Sequence, residues 1–203
     1  MPGTSRALRK LSGILDEFSV PHILIGGFAL PAYGHIRATQ DIDLAIAISY
    51  ERSVELHRQL QKAGYQLPSG PHPDAPVFLV TDLKEMLEVE LWMKPDGVTF
   101  DEELLRRRVK VRPFNDQFEM FAIGPEDFVI NKLARSDRSV QDESDVASVL
   151  ARQKGKLDYE YLRRRAVHAG VSELLDTLMQ ESETYHKSSD SPHLGNFDKH
   201  HPS

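Results

Sequence analysis

Two aspartates separated by one residue begin an apolar segment, and this feature restricts the fold more than any other part of the sequence. Asp41 and Asp43 are followed by Leu44, and the apolar character continues to Ile48. A β-strand points alternate side chains to the same face, so both carboxylates leave one face about 6.6 Å apart, two strand rises. The sequence therefore predicts a buried strand that begins with an acidic pair.

An acidic pair of this kind has a chemical use and a simpler alternative. Two carboxylates on one face repel each other unless a cation lies between them, and hard oxygen ligands suit Mg²⁺, which shares its remaining positions with substrate phosphates. One ion, or two ions about 3.5–4 Å apart, can clamp the attacking and leaving oxygens of a nucleotidyl transfer. The alternative is that Asp41 and Asp43 form only a solvated strand end.

A glycine pair upstream supports the first interpretation. Residues 22–25 form a short apolar run that stops at Gly26 and Gly27, and a short helix is predicted over residues 28–33. Glycines at a strand-to-helix turn allow backbone N–H groups to approach a phosphate, and the helix N-terminus adds partial positive charge. The glycine pair and the acidic pair together favour a nucleotide site.

The remaining periodicity predicts an α/β unit followed by helices. Further strands are expected at 77–80, 87–93, 108–112 and 118–123, with helices at the N-terminus, 50–63 and 101–107. After Pro125 the pattern is helical, over 125–135, 140–153, 158–168 and 171–184. We therefore expect an α/β domain over residues 1–122, an α-helical unit over 123–184, and a polar, disordered tail over 185–203.

Composition limits the classes of protein. The 203-residue chain has no cysteine, which excludes disulfides and thiolate metal sites. Its net charge of −6 argues against coating nucleic acid by bulk charge, although basic residues cluster locally in 106–112 and 163–165. No apolar run approaches the roughly 20 residues that a membrane span needs. These features predict a cytoplasmic protein.

The region from the glycine pair to the acidic pair resembles the DNA polymerase β-like nucleotidyltransferase superfamily. The residues that carry the resemblance are Gly26, Gly27, Ala29, Gly34, Arg37, Thr39, Asp41, Asp43 and Leu44. This version is closest to AbiEii-type toxin nucleotidyltransferases and related bacterial proteins, and lincosamide-type antibiotic nucleotidyltransferases are similar but more distant. The detailed match covers about residues 23–48, with weaker agreement near 87–93 and 124–150.

The resemblance implies a nucleotidyltransferase fold, with a mixed β-sheet flanked by helices and an α-helical C-terminal unit. It also implies a third metal-binding carboxylate on a neighbouring strand, which helps to accept the proton of the attacking hydroxyl. Glu90, between two apolar residues, fits this position best, and Glu88 is the other candidate. Both glutamates could instead face solvent on an edge strand.

The resemblance assigns the nucleotide contacts as well. Backbone groups of Gly26 and Gly27, with Arg37 and Thr39, would hold the nucleoside triphosphate (NTP), and Lys132 would point from its helix toward the triphosphate. An ordinary solvated lysine on a helix surface is the alternative for Lys132.

The implied activity is Mg²⁺-dependent transfer of a nucleoside monophosphate (NMP) from an NTP to a hydroxyl of RNA or protein, in a toxin–antitoxin or phage-defence setting. Two alternatives remain open. One is transfer to a small molecule such as an antibiotic. The other is a catalytically inactive binding or antitoxin-like protein with the same fold.

Overall fold

The computed structural model describes residues 2–39, 41–114 and 117–189 of the chain. In this part, the strands are β1 (His22–Ile25), β2 (Ile42–Ile46), β3 (Val77–Asp82), β4 (Leu87–Trp92), β5 (Val109–Val111) and β6 (Met120–Ala122). The helices are α1 (Pro2–Glu17), α2 (Tyr50–Lys62), α3 (Glu102–Arg107), α4 (Pro125–Ala134), α5 (Val140–Arg152), α6 (Tyr159–Ala169) and α7 (Ser172–Ser189). A 3₁₀ helix covers Gly26–Tyr33.

The strands form one mixed, six-stranded sheet in the order β3-β4-β2-β1-β6-β5. Strand β2 lies between β4, to which it is parallel, and β1, to which it is antiparallel. The C-terminal end of β1 therefore meets the N-terminal end of β2, and Ile25 is paired with Asp43. This arrangement confirms the predicted mixed sheet flanked by helices, and it places the acidic strand near the centre of the sheet.

Apolar periodicity explains how the first helix covers the sheet. Leu8, Leu11 and Leu15 recur at helical spacing on α1, and all three are fully buried. The same core cluster contains Leu44 of β2 and Leu133 of α4. The sheet and the C-terminal helices thus share a continuous apolar core.

Two elements differ from the sequence-based expectation. The helix predicted over residues 28–33 is a 3₁₀ helix that already begins at Gly26. Helix α7 continues to Ser189, so residues 185–189 are helical, whereas the tail 185–203 was expected to lack regular structure. A helix extends through polar residues when no glycine or proline interrupts it. The first glycine or proline after the start of α7 is Pro192. Residues 190–203 lie outside the described residues.

Helix α7 is also the longest helix, with 18 residues. Its composition is polar, and among the described residues we find no helix that combines the length and the apolar character required to cross a membrane.

A buried polar cluster joins α4 to α6. Asp127 of α4 is only 3% exposed, and it accepts hydrogen bonds of 2.8 Å at both carboxylate oxygens from the Tyr161 hydroxyl. Arg165 donates to the same hydroxyl and forms an ion pair with Asp101, which caps α3. Burial raises the pKa of Asp127 to about 6. The cluster fixes the orientation of α4 relative to α6.

Asp127 predicts a pH dependence of stability. Its folded pKa lies above the ordinary value of about 3.9, so the folded chain holds a proton there that the unfolded chain releases. This contribution to stability is present below pH 4, and it falls by about 3 kcal/mol in total as the pH rises through about 6 to 7. In Asp127→Asn that fall disappears, because the side chain no longer titrates. Urea unfolding at pH 4, 5, 6 and 7 measures the difference.

Glu160→Gln is the matched control, since it removes an exposed carboxylate from the same helical region. We expect its stability to follow that of the wild type at every pH. A pH profile of Asp127→Asn that is parallel to the wild-type profile would show that Asp127 has the same pKa in the folded and unfolded states, contrary to its raised folded pKa.

Candidate active site

The register between two parallel strands brings two predicted carboxylates together. Strand β2 pairs with β4 so that Asp43 lies directly opposite Glu90. Cross-strand partners have their side chains on the same face of the sheet. Both side chains are partly buried, whereas Glu88 is exposed. Of the two glutamates considered for the third carboxylate, Glu90 is therefore the one beside Asp43.

Both carboxylates of this pair have raised pKa values. Burial raises the pKa of Asp43 above its usual value. Burial also raises the pKa of Glu90, and the neighbouring charge of Asp43 raises it further. Both shifts express the cost of placing two negative charges in a desolvated position, and a bound cation would offset that cost.

Asp41 occupies a different position from the other two acids. It lies just before β2 and is exposed, and its charge is felt by Glu90. In the described part of the chain, no three histidine or acidic side chains are grouped closely enough to hold a metal ion by themselves. Mg²⁺ is commonly held by one or two carboxylates together with substrate phosphates, and Asp43 with Glu90 fits that requirement.

The first glycine of the pair gives Asp43 its space. Gly26 has φ +65°, a left-handed conformation that favours glycine. A Cβ atom at Gly26 would overlap the Asp43 carboxylate, so glycine is needed here for both backbone conformation and space. The turn from β1 into the 3₁₀ helix can therefore pass directly against the acidic side chain.

A small cavity of about 20 Å³ opens beside Asp43. That volume accommodates a water molecule or an ion, but not a nucleotide. The cavity is lined by Ile25, Gly26, Asp43, Trp92, Pro95, Asp96, Asn131 and Arg135. The sequence patterns did not predict Asn131 or Arg135 as residues of this site. Asn131 and Arg135 lie four residues apart and therefore share a face of the helical region. This spacing was the feature of the sequence that could have indicated that both line the same cavity.

The second glycine lies beside the predicted nucleotide-binding loop. A Cβ atom at Gly27 would lie 2.8 Å from Thr39 Oγ1 and 3.1 Å from an Arg37 nitrogen. Arg37 itself makes a bidentate ion pair with Asp145 of α5, with two N–O distances of 2.9 Å. The loop that carries Arg37 and Thr39 is thus fastened to the helical half of the molecule.

Lys132 belongs to the same network. Its ammonium lies 2.7 Å from Asp142 and 3.7 Å from Asp145, and its side chain is only 5% exposed. Burial opposes ionisation of Asp142, but hydrogen bonds from Lys132 and Ser139 lower the pKa of Asp142 overall. The two cations predicted to hold a triphosphate, Arg37 and Lys132, therefore already have carboxylate partners on α5.

Comparison with protein families assigns the chain. The model of a family described as nucleotidyltransferases of unknown function (DUF6036) matches residues 4–188. The chain belongs to this nucleotidyltransferase family. The expectation of a nucleotidyltransferase is thereby confirmed, whereas a closer relation to AbiEii-type toxins is not part of this match. A comparison of the nucleotidyltransferase with curated proteins finds no significant match.

Several solved structures are similar to the chain at low sequence identity. An antigenic nucleotidyltransferase-like protein from Paracoccidioides brasiliensis is 17% identical with a TM-score of 0.50, over 89% of this chain and 93% of that one. The antibiotic-resistance factor ANT(2'')-Ia is 15% identical with a TM-score of 0.50, over 91% of this chain and 97% of that one. The lincosamide antibiotic adenylyltransferase LnuA, bound to lincomycin, is 12% identical with a TM-score of 0.46, over 71% of this chain and 94% of that one. At these identities the first two support the fold alone.

Gly26 of the nucleotidyltransferase provides a test of how tightly Asp43 is enclosed. We expect Gly26→Ala to reduce stability by roughly 1–2 kcal/mol through its left-handed backbone, and by about 1–3 kcal/mol more through the overlap with Asp43. Because Asp43 must move, binding at Asp43 of Mn²⁺, used as a spectroscopic substitute for Mg²⁺, should also be lost. Urea unfolding and Mn²⁺ titration measure the two effects.

The control for this substitution is Gly155→Ala. Gly155 has φ +77°, and no atom lies within 4 Å of a Cβ placed there. It should show only the backbone cost and bind Mn²⁺ as the wild type does. Equal losses of stability in the two variants, with Mn²⁺ binding kept in both, would contradict the close contact between Gly26 and Asp43.

The ion pairs of Asp145 predict a second stability effect. Asp145 is fully buried, and Asp145→Asn leaves both Arg37 and Lys132 with a weakened partner. Breaking a buried ion pair costs about 3–5 kcal/mol, so we expect a loss of stability near that range. Arg163→Gln breaks an exposed pair with Asp176 and should cost less than about 1 kcal/mol. Similar losses in both variants, measured by thermal unfolding, would refute the structural role of Asp145.

Proposed function

We propose that this nucleotidyltransferase moves an NMP from an NTP to an acceptor hydroxyl, with Mg²⁺ held by Asp43 and Glu90 and approached by Asp41. The observation that carries the proposal is the register pairing of Asp43 with Glu90 beside the Gly26 turn. Two desolvated carboxylates with raised pKa values, next to a glycine turn, form a site whose negative charge a divalent cation would offset, and a triphosphate would complete the coordination of that cation.

The protein groups would act mainly by position and charge. Backbone N–H groups at Gly26 and Gly27 would bind the phosphates, and Arg135, which lines the cavity beside Asp43, would add positive charge. Arg135 is electrostatically coupled to the site, because the charge of Asp43 contributes to raising the pKa of Arg135 after the larger effect of its hydrogen bond to Asp137. Arg37 and Lys132 contribute by fastening the Thr39 loop and α4 to α5.

The reaction step itself is a displacement at the α-phosphorus. The acceptor hydroxyl forms a new P–O bond, the bond to the pyrophosphate oxygen breaks, and Glu90 accepts the proton of the hydroxyl. The metal, when bound, supplies charge for the phosphate oxygens and orients the triphosphate. The resemblance to nucleotidyltransferases implies this proton-accepting role for the third carboxylate, and Glu90 occupies that position beside Asp43.

For the acceptor we propose RNA or protein, as the resemblance to AbiEii-type nucleotidyltransferases implies. The basic side chains of β5 and its flanks, Arg108, Lys110 and Arg112, offer a surface for such a partner, although Glu119 pairs with two of them. Transfer to a small molecule is the second candidate. Its support is the fold of ANT(2'')-Ia, an antibiotic-resistance factor.

Transfer of α-³²P-labelled nucleotides tests the proposal and the acceptor class together. Each of the four NTPs is incubated with Mg²⁺ and with total RNA, total protein or a panel of antibiotics. We expect label on one acceptor class, with a decrease of about 100-fold or more in Asp43→Asn and in Glu90→Gln, because each variant removes a charge from the site.

Glu88→Gln is the control for this assay. Glu88 lies on the same strand and is exposed, so its loss should leave the transfer rate unchanged. Equal loss of activity in Glu88→Gln and Glu90→Gln would contradict the assignment of Glu90. Absence of labelling with every NTP and acceptor, together with no Mg²⁺–NTP binding, would favour an inactive binding protein.

A further inference from the structure

The chain contains one tryptophan, Trp92, and this residue touches both carboxylates of the candidate site. Its indole Nε1 lies 3.2 Å from Asp43 Oδ1 and 3.0 Å from Glu90 Oε2. Tryptophan has one N–H and no acceptor, so a single hydrogen is shared between two carboxylate oxygens.

The position of the indole follows from the strand register. Trp92 comes two residues after Glu90, so the two side chains are on the same face of β4. Its cross-strand partner on β2 is Ala45, which is two residues after Asp43 and fully buried. The small side chain of Ala45 leaves room for a large ring on this face. Four residues of two strands thus form a compact square, with the indole N–H directed at the two acids.

The indole N–H is suited to orienting metal ligands. It donates to both acids without adding a net charge and without acting as a ligand itself. Each carboxylate has about four lone-pair directions, and the shared N–H uses only one on each, so the others are available to a cation. Groups that hydrogen-bond to metal ligands in this way fix the orientation of the ligands, and their loss commonly weakens metal binding by about 10–100-fold.

We propose that Trp92 is a positioning residue of the metal site, whose indole N–H holds the Asp43 and Glu90 carboxylates in the orientation that binds a divalent cation. This inference rests on the proposed function, because it presupposes that these two acids bind the cation. Trp92 also lines the cavity beside Asp43, so a cation bound in that cavity would lie next to the indole.

The presence of only one tryptophan allows a change of one atom. Expression in a tryptophan auxotroph fed β-(3-benzothienyl)-alanine replaces the indole N–H by sulfur and keeps the shape of the ring system. Feeding 5-fluorotryptophan keeps the N–H and adds a single ¹⁹F signal, so it is the matched control. Both replacements affect residue 92 alone.

Binding of Mn²⁺ by the full chain is then followed by electron paramagnetic resonance of the free ion. We expect the fluorotryptophan protein to bind Mn²⁺ as the wild type does, and its single ¹⁹F resonance to move as diamagnetic Mg²⁺ is added. The benzothienyl protein should bind Mn²⁺ about 10–100-fold more weakly. Without metal, the benzothienyl protein should unfold at the same temperature as the fluorotryptophan protein. Weaker Mn²⁺ binding at unchanged stability would separate a role in positioning from a role in packing alone.

Two results would overturn the inference, and they are distinguishable. Equal Mn²⁺ affinity in the benzothienyl and fluorotryptophan proteins would show that the N–H does not orient the ligands, while the metal site itself would stand. Absence of Mn²⁺ binding in every form, with and without NTP, would remove both the metal site and the role of Trp92.

Discussion

The parallel pairing of β2 with β4 is the interaction on which the rest of the site depends. It places Asp43 opposite Glu90 and so brings together two acids that are 47 positions apart in the chain (90 − 43). A slip of one residue would turn one of them to the other face of the sheet. The apolar residues that directly follow the two acids hold this register, because Leu44 and Leu91 are paired and fully buried.

The helical half of the molecule supports this pair from one side. Helix α4 presents Asn131 to the cavity, and Arg135 follows directly after the helix, while the contact of Asp127 with Tyr161 holds α4 against α6. On α5, Asp145 binds the Arg37 loop. Both elements that face Asp43 are thus held by ion pairs and hydrogen bonds to neighbouring helices. Rigid support of this kind reduces the reorganisation required when charge develops during transfer.

Local patterns in the sequence were sufficient to predict the elements and part of the site. The alternation around Asp43 and the turn at Gly26 are local properties, and they predicted the strands that the structure shows and the acidic side chains that it brings together. The pairing partner of a strand depends on the whole sheet, so the choice between Glu88 and Glu90 needed the register. The same limit applies to Lys132. Its residue type and its position in the helical pattern predict a positively charged side chain on α4, but they do not predict that this side chain is buried against Asp142. The shared N–H of Trp92 depends on β2 and β4 together, and no local pattern indicates it.

A crystal structure with Mn²⁺ and a non-hydrolysable NTP analogue tests the central claim most directly, since anomalous scattering locates the metal without reference to activity. The account predicts an anomalous peak in contact with carboxylate oxygens of both Asp43 and Glu90, with the triphosphate completing its coordination and the Trp92 N–H still directed at the two acids. A peak held by Asp142 and Asp145, or a bound nucleotide with no metal at Asp43, would contradict it.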